Sequence, residues 1–326
     1  MTPPTSLALP ATASEPLPVL RDVEFFEMPV KQILNRCDNP RLPFRWTINP
    51  YRGCEFGCVY CYARYTHEFL ELRDPMDFER RIFVKRMAAE VLARTLSRTP
   101  IGAGPIAIGT ATDPYQPAER KFRLTRSMLE VFARLPGLSL SITTKSALVT
   151  RDLDILREIN VRSKLSVNFT ITTLDRRLQR IIEPRAPRPA LRLRALSELV
   201  RAGIRCNVLM MPIIPGLNDS PATIESVIRA ARRAGAGGVW WRSLFLKPAA
   251  ARRFIPFVAQ TFPHLRARIE ECYARSTYAP RAYDDRMREL FDRIRRKYGF
   301  DPEAERNPPE QPQPPHPAMQ LSLGVA

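Results

Sequence analysis

Cysteine is scarce in this chain, with six among 326 residues. That is far below the density of a disulfide-stapled secreted scaffold, so the fold is expected not to depend on bridges and any cysteine chemistry to be local. Long apolar runs are missing too. The best stretch, residues 208–214, falls well short of the roughly 20 residues a membrane span requires. Residues 1–20 hold no Lys or Arg and five Pro, so they lack both the basic head and the apolar core of a signal peptide. These absences predict a cytoplasmic protein with no membrane association.

Acidic residues are the minority, 33 Asp+Glu against 51 Lys+Arg, for a net charge of +18 and a pI near 10.3. Such an excess suits a nucleic-acid partner through phosphate neutralisation. Its distribution tempers that reading: only 7 of the 51 are Lys, and the excess runs from residue 151 to 297 without a single basic block. A solvated basic surface accounts for it equally well.

Proline, by contrast, is abundant: 32 residues, about twice the usual ~5%, concentrated at the ends. Residues 1–22 and 301–326 are expected to be disordered tails, having too little apolar content to offset ordering entropy. Between them, short β-branched or apolar runs alternate with helical patterns, the signature of βαβ units and a parallel sheet. Strands are expected at 46–50, 106–110, 139–144, 165–172, 205–212 and 239–246, and helices at 85–97, 125–135, 151–159, 189–202 and 220–234. Ser220-Pro221 offers an N-cap followed by Pro at the first helical position, and Gly235 and Gly203 end their helices. Six such units predict an α/β fold, a partial (β/α)6 TIM-like barrel over residues 23–250. A C-terminal helical extension over 251–300 follows, whose last helix lines Met287, Leu290, Phe291, Ile294 and Tyr298 along one stripe.

The most informative segment is NPYRGCEFGCVYCYAR, residues 49–64. Three of the six cysteines, Cys54, Cys58 and Cys61, fall there, directly after the first expected strand, where a (β/α) barrel places its active-site loops. Three thiolates on one loop can hold three irons of a [4Fe–4S] cube and leave the fourth open to a ligand. A structural zinc using His67 as fourth ligand is the weaker alternative, because no second Cys pair follows. A disulfide within the loop is weaker still.

The Cys-x3-Cys-x2-Cys spacing with aromatic Tyr60 before the last Cys resembles the radical S-adenosylmethionine (SAM) superfamily. TINPYRGC (47–54), GTATDPYQPAE (109–119), TKSALV (144–149) with RDLD (151–154), EPRAP (183–187) and PIIPGLND (212–219) are similar to its spore photoproduct lyase-like branch, known as "DNA repair photolyase" homologues. The similarity runs from about residue 30 to 247 and on into YAPRAY (278–283).

This resemblance implies a radical SAM enzyme in which Cys54, Cys58 and Cys61 bind a [4Fe–4S] cluster. S-adenosyl-L-methionine on the open iron would be reductively cleaved to a 5′-deoxyadenosyl radical, with a flavodoxin- or ferredoxin-type donor supplying the electron. Tyr60 would lie beside the adenine, although a buried loop aromatic is compatible with that role. Thr110 and Asp113 would accept from the methionine ammonium; Asp113 before Pro114 reads equally as a turn residue. Lys145, with Ser146 at the mouth of the third strand, would meet the methionine carboxylate or else snorkel to solvent. Thr170 and Thr172 share a strand face and would reach the ribose if that face is the barrel interior. Glu183 and Arg185 are expected to form an ion pair that shapes their loop. The substrate is open, nucleic acid being one the charge permits. Spore photoproduct lyases use a further Cys near the second strand as hydrogen donor, and here no Cys occurs between Cys61 and Cys206. The alternative is a nucleic-acid-binding protein whose iron–sulfur cluster is structural or redox-sensing.

Overall fold

The computed structural model describes residues 23–40, 42–98 and 104–301; the expected tails, 1–22 and all of 301–326 but Asp301, lie outside them. The strands are β1 (Glu24–Glu27), β2 (Asn35–Arg36), β3 (Trp46–Ile48), β4 (Tyr51–Arg52), β5 (Arg81–Val84), β6 (Ile106–Ile108), β7 (Ser139–Thr144), β8 (Lys164–Thr170), β9 (Arg205–Ile213) and β10 (Val239–Ser243). The helices are α1 (Tyr65–Glu68), α2 (Asp77–Arg80), α3 (Ala88–Arg98), α4 (Ala118–Phe122), α5 (Leu124–Ala133), α6 (Leu153–Arg162), α7 (Arg176–Ile182), α8 (Pro189–Arg201), α9 (Pro221–Ala234), α10 (Pro248–Thr261), α11 (Arg266–Tyr273) and α12 (Arg281–Lys297).

The main sheet runs β10-β9-β8-β7-β6-β3-β2 and is parallel from β3 to β10, with β2 antiparallel at the edge. This is the expected six-unit partial barrel. Its alternation follows from burial: Leu140, Ile142, Val167, Phe169, Val208 and Met210 join the core shared with α3, α5, α6, α8 and α9, leaving the opposite face of each strand to line the interior. That interior is polar here. Asn168 Nδ2 donates to Ser141 Oγ (2.8 Å) and accepts at Oδ1 from Asn207 Nδ2 (2.9 Å), a row of side chains crossing β7, β8 and β9. Thr170, two residues past Asn168, shares this face, as its assignment to the ribose required.

Helix termini follow their residues. Ser220 Oγ accepts from Thr223 N (3.2 Å), Pro221 opens α9, and Gly235 closes it at φ +90°. The helix expected from 151 begins as a 3-10 turn, Ala147–Asp152, capped by Ser146 Oγ, before α6. The last helix covers the edge strand β10: Phe291 stacks on Trp241 at 5.0 Å and Arg295 Nη1 donates to Val239 O (3.1 Å), shielding an edge that would otherwise offer itself for pairing. One layer had no sequence signal strong enough to find it. Parallel β1-β5, with β4 antiparallel to β5, forms a small separate sheet beside the cysteine loop.

Candidate active site

After β3 and β4 the chain turns at Gly53 (φ +91°), where any Cβ would stand 2.9 Å from the carbonyl oxygens of Phe78 and Arg81. Only glycine lets the loop pass this close to the small sheet. Cys54 N then donates to Phe78 O (2.9 Å), Val59 N to Ile182 O (3.0 Å) and Cys61 N to Cys58 O (3.2 Å), so the loop is pinned from two directions. Cys54 and Cys58 are buried, Cys61 is half-buried, and all three are free thiols. They pack with Phe56, Val59 and Phe78. Burial pushes every one of these thiols up, Cys58 to about 12, and neighbouring thiols push Cys54 and Cys58 further in the same direction, while Arg64 and Lys145 partly oppose the rise at Cys61. Binding a metal centre here must therefore displace protons.

Three soft donors converging from one loop suit an iron–sulfur cluster. The zinc alternative would need His67, whose Nδ1 is buried without a hydrogen-bond partner among the described residues. His67 Nε2 is bonded to Arg81 O (2.9 Å), and its ring packs edge-on against Phe78 and Phe83. Among the described residues no three His, Cys, Asp or Glu side chains form a single-ion site.

Behind the loop lies a charged nest. Glu79 Oε1 accepts from Arg64 Nη2 (3.1 Å), which also donates to Cys58 O (3.0 Å); Glu79 Oε2 accepts from Arg185 Nη2 (2.7 Å), and Arg253 approaches to 4.0 Å. The expected Glu183–Arg185 pair is thus not formed. Arg185 turns away to Glu79, and Glu183 pairs instead with Arg192 of α8 at 2.5 Å, both side chains being completely buried. Gly57 (φ +62°) is what lets the nest touch the loop: a Cβ there would fall 2.1 Å from Glu79 Oε2 and 2.7 Å from Arg185 Nη2. Gly57→Ala is expected to disrupt both the backbone and the nest. Iron content after anaerobic reconstitution should fall below about half of the wild-type value; full loading would show that the loop tolerates the displacement.

Tyr60, Glu183, Lys145 and Thr170 gather on the inner side of the loop. The Tyr60 hydroxyl donates to Glu183 Oε1, which also accepts from Thr172 Oγ1 (3.3 Å); Arg192 Nη1 donates to Thr170 O (2.8 Å). Burial alone would push the Glu183 carboxyl up, but Arg192 and Lys145 more than offset it and hold it below the ordinary range. The half-buried Lys145 ammonium lies 5.8 Å from the Tyr60 ring centroid. Burial works against its charge, while Cys58 and Glu183 keep it protonated. Among the described residues its Nζ makes no hydrogen bond or ion pair, whereas Glu183 and Arg192 beside it are paired with each other.

Asp113 is more committed than its assignment required. Oδ1 accepts from Thr144 Oγ1 (2.7 Å) and Tyr115 N (2.9 Å), and Oδ2 from Lys145 N (2.7 Å). It therefore acts as the turn residue and stitches β6's loop to β7's, with one lone pair of Oδ2 to spare. Thr110 Oγ1 accepts from Asn49 Nδ2 (3.2 Å), and its carbonyl takes the Tyr62 hydroxyl. Ser146 is buried and caps the turn after β7.

Sequence reasoning passed over Asn49 and Gln116. Asn49 Oδ1 accepts from Ala111 N (2.7 Å), and Gln116 binds Gly53 O through Nε2 (3.2 Å) and Glu55 N through Oε1 (2.9 Å), together locking the cysteine loop to β6. Both sit inside the quoted motifs, and that position was the available signal. Also unforeseen is a stair of rings beside Cys61. Tyr62 lies 6.0 Å from Phe245, which stacks on exposed Tyr278 at 4.7 Å, with Lys247 Nζ 3.7 Å from the centre of the Tyr65 ring.

The model of a family described as the radical SAM superfamily matches residues 48–232. An uncharacterised protein of Mycobacterium tuberculosis is 35% identical over 294 residues, 90% of this chain and 86% of its own length. Another, of Methanocaldococcus jannaschii, is 29% identical over 241 residues, 74% of this chain and 85% of its own. Among solved structures, spore photoproduct lyase complexed with dinucleoside spore photoproduct matches with a TM-score of 0.62 at 15% identity, over 84% of this chain and 79% of that one. A mutant of that lyase with bound AdoMet and dinucleoside spore photoproduct matches with a TM-score of 0.60 at 16% identity and the same coverage. At these identities the likeness is one of fold.

Proposed function

The chain belongs to the radical SAM superfamily and is an enzyme of that kind, and on that premise we propose that Cys54, Cys58 and Cys61 hold a [4Fe–4S] cluster that binds and reductively cleaves S-adenosyl-L-methionine. When bound and reduced, cluster and cosubstrate together supply a 5′-deoxyadenosyl radical; the electron comes from a flavodoxin- or ferredoxin-type donor. The observation that carries the reading is the meeting of three thiols with an unmatched ammonium, Lys145, at the C-terminal mouth of a parallel barrel.

The chain's own groups bind and orient. Lys145 takes the methionine carboxylate, because that anion supplies the partner its buried charge lacks. Thr110 and the free lone pair of Asp113 accept from the ammonium, and Ser146 lies alongside. Thr170 meets the ribose from the interior face of β8. Tyr60 offers its ring and backbone to the adenine while its hydroxyl stays tied to Glu183. The apolar packing of Phe56, Val59 and Phe78 keeps water from the reacting centre.

Nucleic acid is the substrate class the surface favours. The net charge of +18 supports it, as do the stacked faces of Phe245 and Tyr278, which can receive a base. Repair of the spore photoproduct by the lyase's own route is not supported: Cys206 is buried in β9, Cys272 lies on α11, and no Cys lies between residues 61 and 206. Among the described residues no helix is long and apolar enough to cross a membrane; the oxygen-sensitive chemistry proposed here would suit the reducing cytoplasm.

Anaerobic reduction of the reconstituted protein with S-adenosylmethionine should release 5′-deoxyadenosine, and Cys58→Ala should reduce that release to background. A well-formed cluster without any cleavage, together with nucleic-acid binding of steep salt dependence, would replace this reading with that of a cluster-bearing nucleic-acid binder.

A further inference from the structure

The nest behind the cysteine loop carries more positive charge than its own stability calls for. Three guanidiniums, Arg64, Arg185 and Arg253, surround one carboxylate, Glu79. Glu55 also feels Arg185, but its carboxyl is pushed up by burial and already accepts from Ala118 N at 2.6 Å. Even counted in full, it leaves the guanidiniums in excess. Several buried donors here, Nε of Arg64 and Arg253 and both Nε and Nη1 of Arg185, have no acceptor. These atoms are sealed from solvent, so what a partner at the surface can feel is the unbalanced charge of the nest, not a vacant donor.

Position gives the excess a direction. Arg64 and Glu79 are buried, whereas Arg185 and Arg253 keep 22% and 28% of their side chains exposed. The nest therefore reaches from the surface to the loop itself. It touches the loop at Gly57, between Cys54 and Cys58, where no side chain intervenes, and Arg64 continues it to the carbonyl of Cys58. The polar and aromatic groups assigned to S-adenosylmethionine lie on the other, inner side of the same loop.

We propose that the exposed face of Arg185 and Arg253 is the docking port of an acidic electron-transfer protein, which delivers its electron to the cysteine-held centre across Gly57. The proposal rests on the function proposed above and adds the surface through which that function is driven. With a flavodoxin as donor, the anionic flavin hydroquinone gives up one electron and becomes the neutral semiquinone, while the cluster goes from the 2+ to the 1+ state. No proton moves and no bond is made or broken. Opposite charge at the port raises the encounter rate and sets the orientation, while a reductant entering from the substrate side would have to cross the S-adenosylmethionine site.

The test uses the full chain with its reconstituted cluster. Cluster bleaching is followed by absorbance after mixing with flavodoxin hydroquinone and, separately, with photoreduced deazariboflavin, a small neutral reductant. Arg253→Glu should slow reduction by flavodoxin roughly tenfold at low ionic strength. The difference should shrink towards nothing at about 0.5 M salt, and the deazariboflavin rate should be unchanged. Arg253→Gln, which removes charge without setting a second carboxylate beside Glu79, should give about a threefold loss. Arg194→Glu, the same charge change on exposed α8, should leave both rates alone. Titration with oxidised flavodoxin should show weaker binding for Arg253→Glu, a readout independent of turnover. Equal flavodoxin rates in wild type and both Arg253 variants, or an equal loss in Arg194→Glu, would overturn the port while leaving the enzyme reading intact. A wild-type protein with no reducible cluster would remove both.

Discussion

Glu183→Ala should lower the unfolding midpoint on the order of 10 °C, the largest stability effect expected of any single substitution here. Glu183 is completely buried, and among the described residues it is the acid paired with the equally buried Arg192, whose remaining donors go to the carbonyls of Pro187 (2.7 Å) and Thr170 (2.8 Å). Truncating one partner of such a pair leaves an uncompensated charge in the interior and costs about 3–5 kcal/mol, and each kcal/mol shifts the midpoint by roughly 2–4 °C in a domain of this size. The Tyr60 and Thr172 hydroxyls lose their acceptor as well. The double variant Glu183→Leu/Arg192→Met, which removes both charges, should recover much of the loss. Circular dichroism melts of the three proteins decide the matter. A single-variant cost below about 1 kcal/mol, or a double variant no more stable than Glu183→Ala, would mean that the pair is not the keystone of this region.

Lys145→Met should weaken S-adenosylmethionine binding by about 100-fold, with the melting midpoint unchanged within a degree or two. A charge-assisted pair with a carboxylate in a half-buried site is worth about 2–3 kcal/mol, and a thioether of similar length keeps the stem packed over Tyr60. Stability should hold because the ammonium makes no hydrogen bond or ion pair among the described residues, and Glu183, which it attracts from a distance, keeps its direct partner Arg192. Equilibrium dialysis against labelled cosubstrate measures the affinity. Unchanged binding would return Lys145 to the role of a lysine that merely reaches solvent. The two variants separate cleanly: one breaks the scaffold beneath the loop, the other only the contact above it.

The barrel was legible because its strands and helices bury faces that recur at fixed spacings. The six strands fall within a few residues of where the apolar runs place them, and Ser220, Pro221 and Gly235 mark the ends of α9 through chemistry internal to a few neighbouring residues. What escaped was carried by pairs distant along the chain. Glu183 and Arg185 are two residues apart and of opposite sign, which makes them an obvious pair on paper. In the folded chain Arg192, placed on the inward face of α8, has the shorter path to Glu183, and Arg185 reaches Glu79 across 106 positions. No periodicity announces such a contact. The small sheet was hidden for a different reason: all four residues of β1 are exposed and β4 has only two residues, which leaves the four-residue alternation of β5 as the one pattern to read. Cys54, Cys58 and Cys61 stood out because their spacing is local, while Asn49 and Gln116, which hold their loop to β6, look like ordinary polar residues until the fold joins them.

The bond from Tyr60 to Glu183 also orders events in time. It joins positions 123 residues apart, and Glu183 is itself held by α8, beyond it in the chain. During synthesis the three cysteines emerge early, but the strand, loop and helix that fix their geometry emerge only after most of the barrel has been made. A nascent chain therefore presents a loose trio of thiols with no frame around it. If the three thiols hold the proposed cluster, iron insertion belongs at the end of maturation, and a truncation before α8 should yield a chain that carries the complete cysteine motif yet retains no iron after reconstitution.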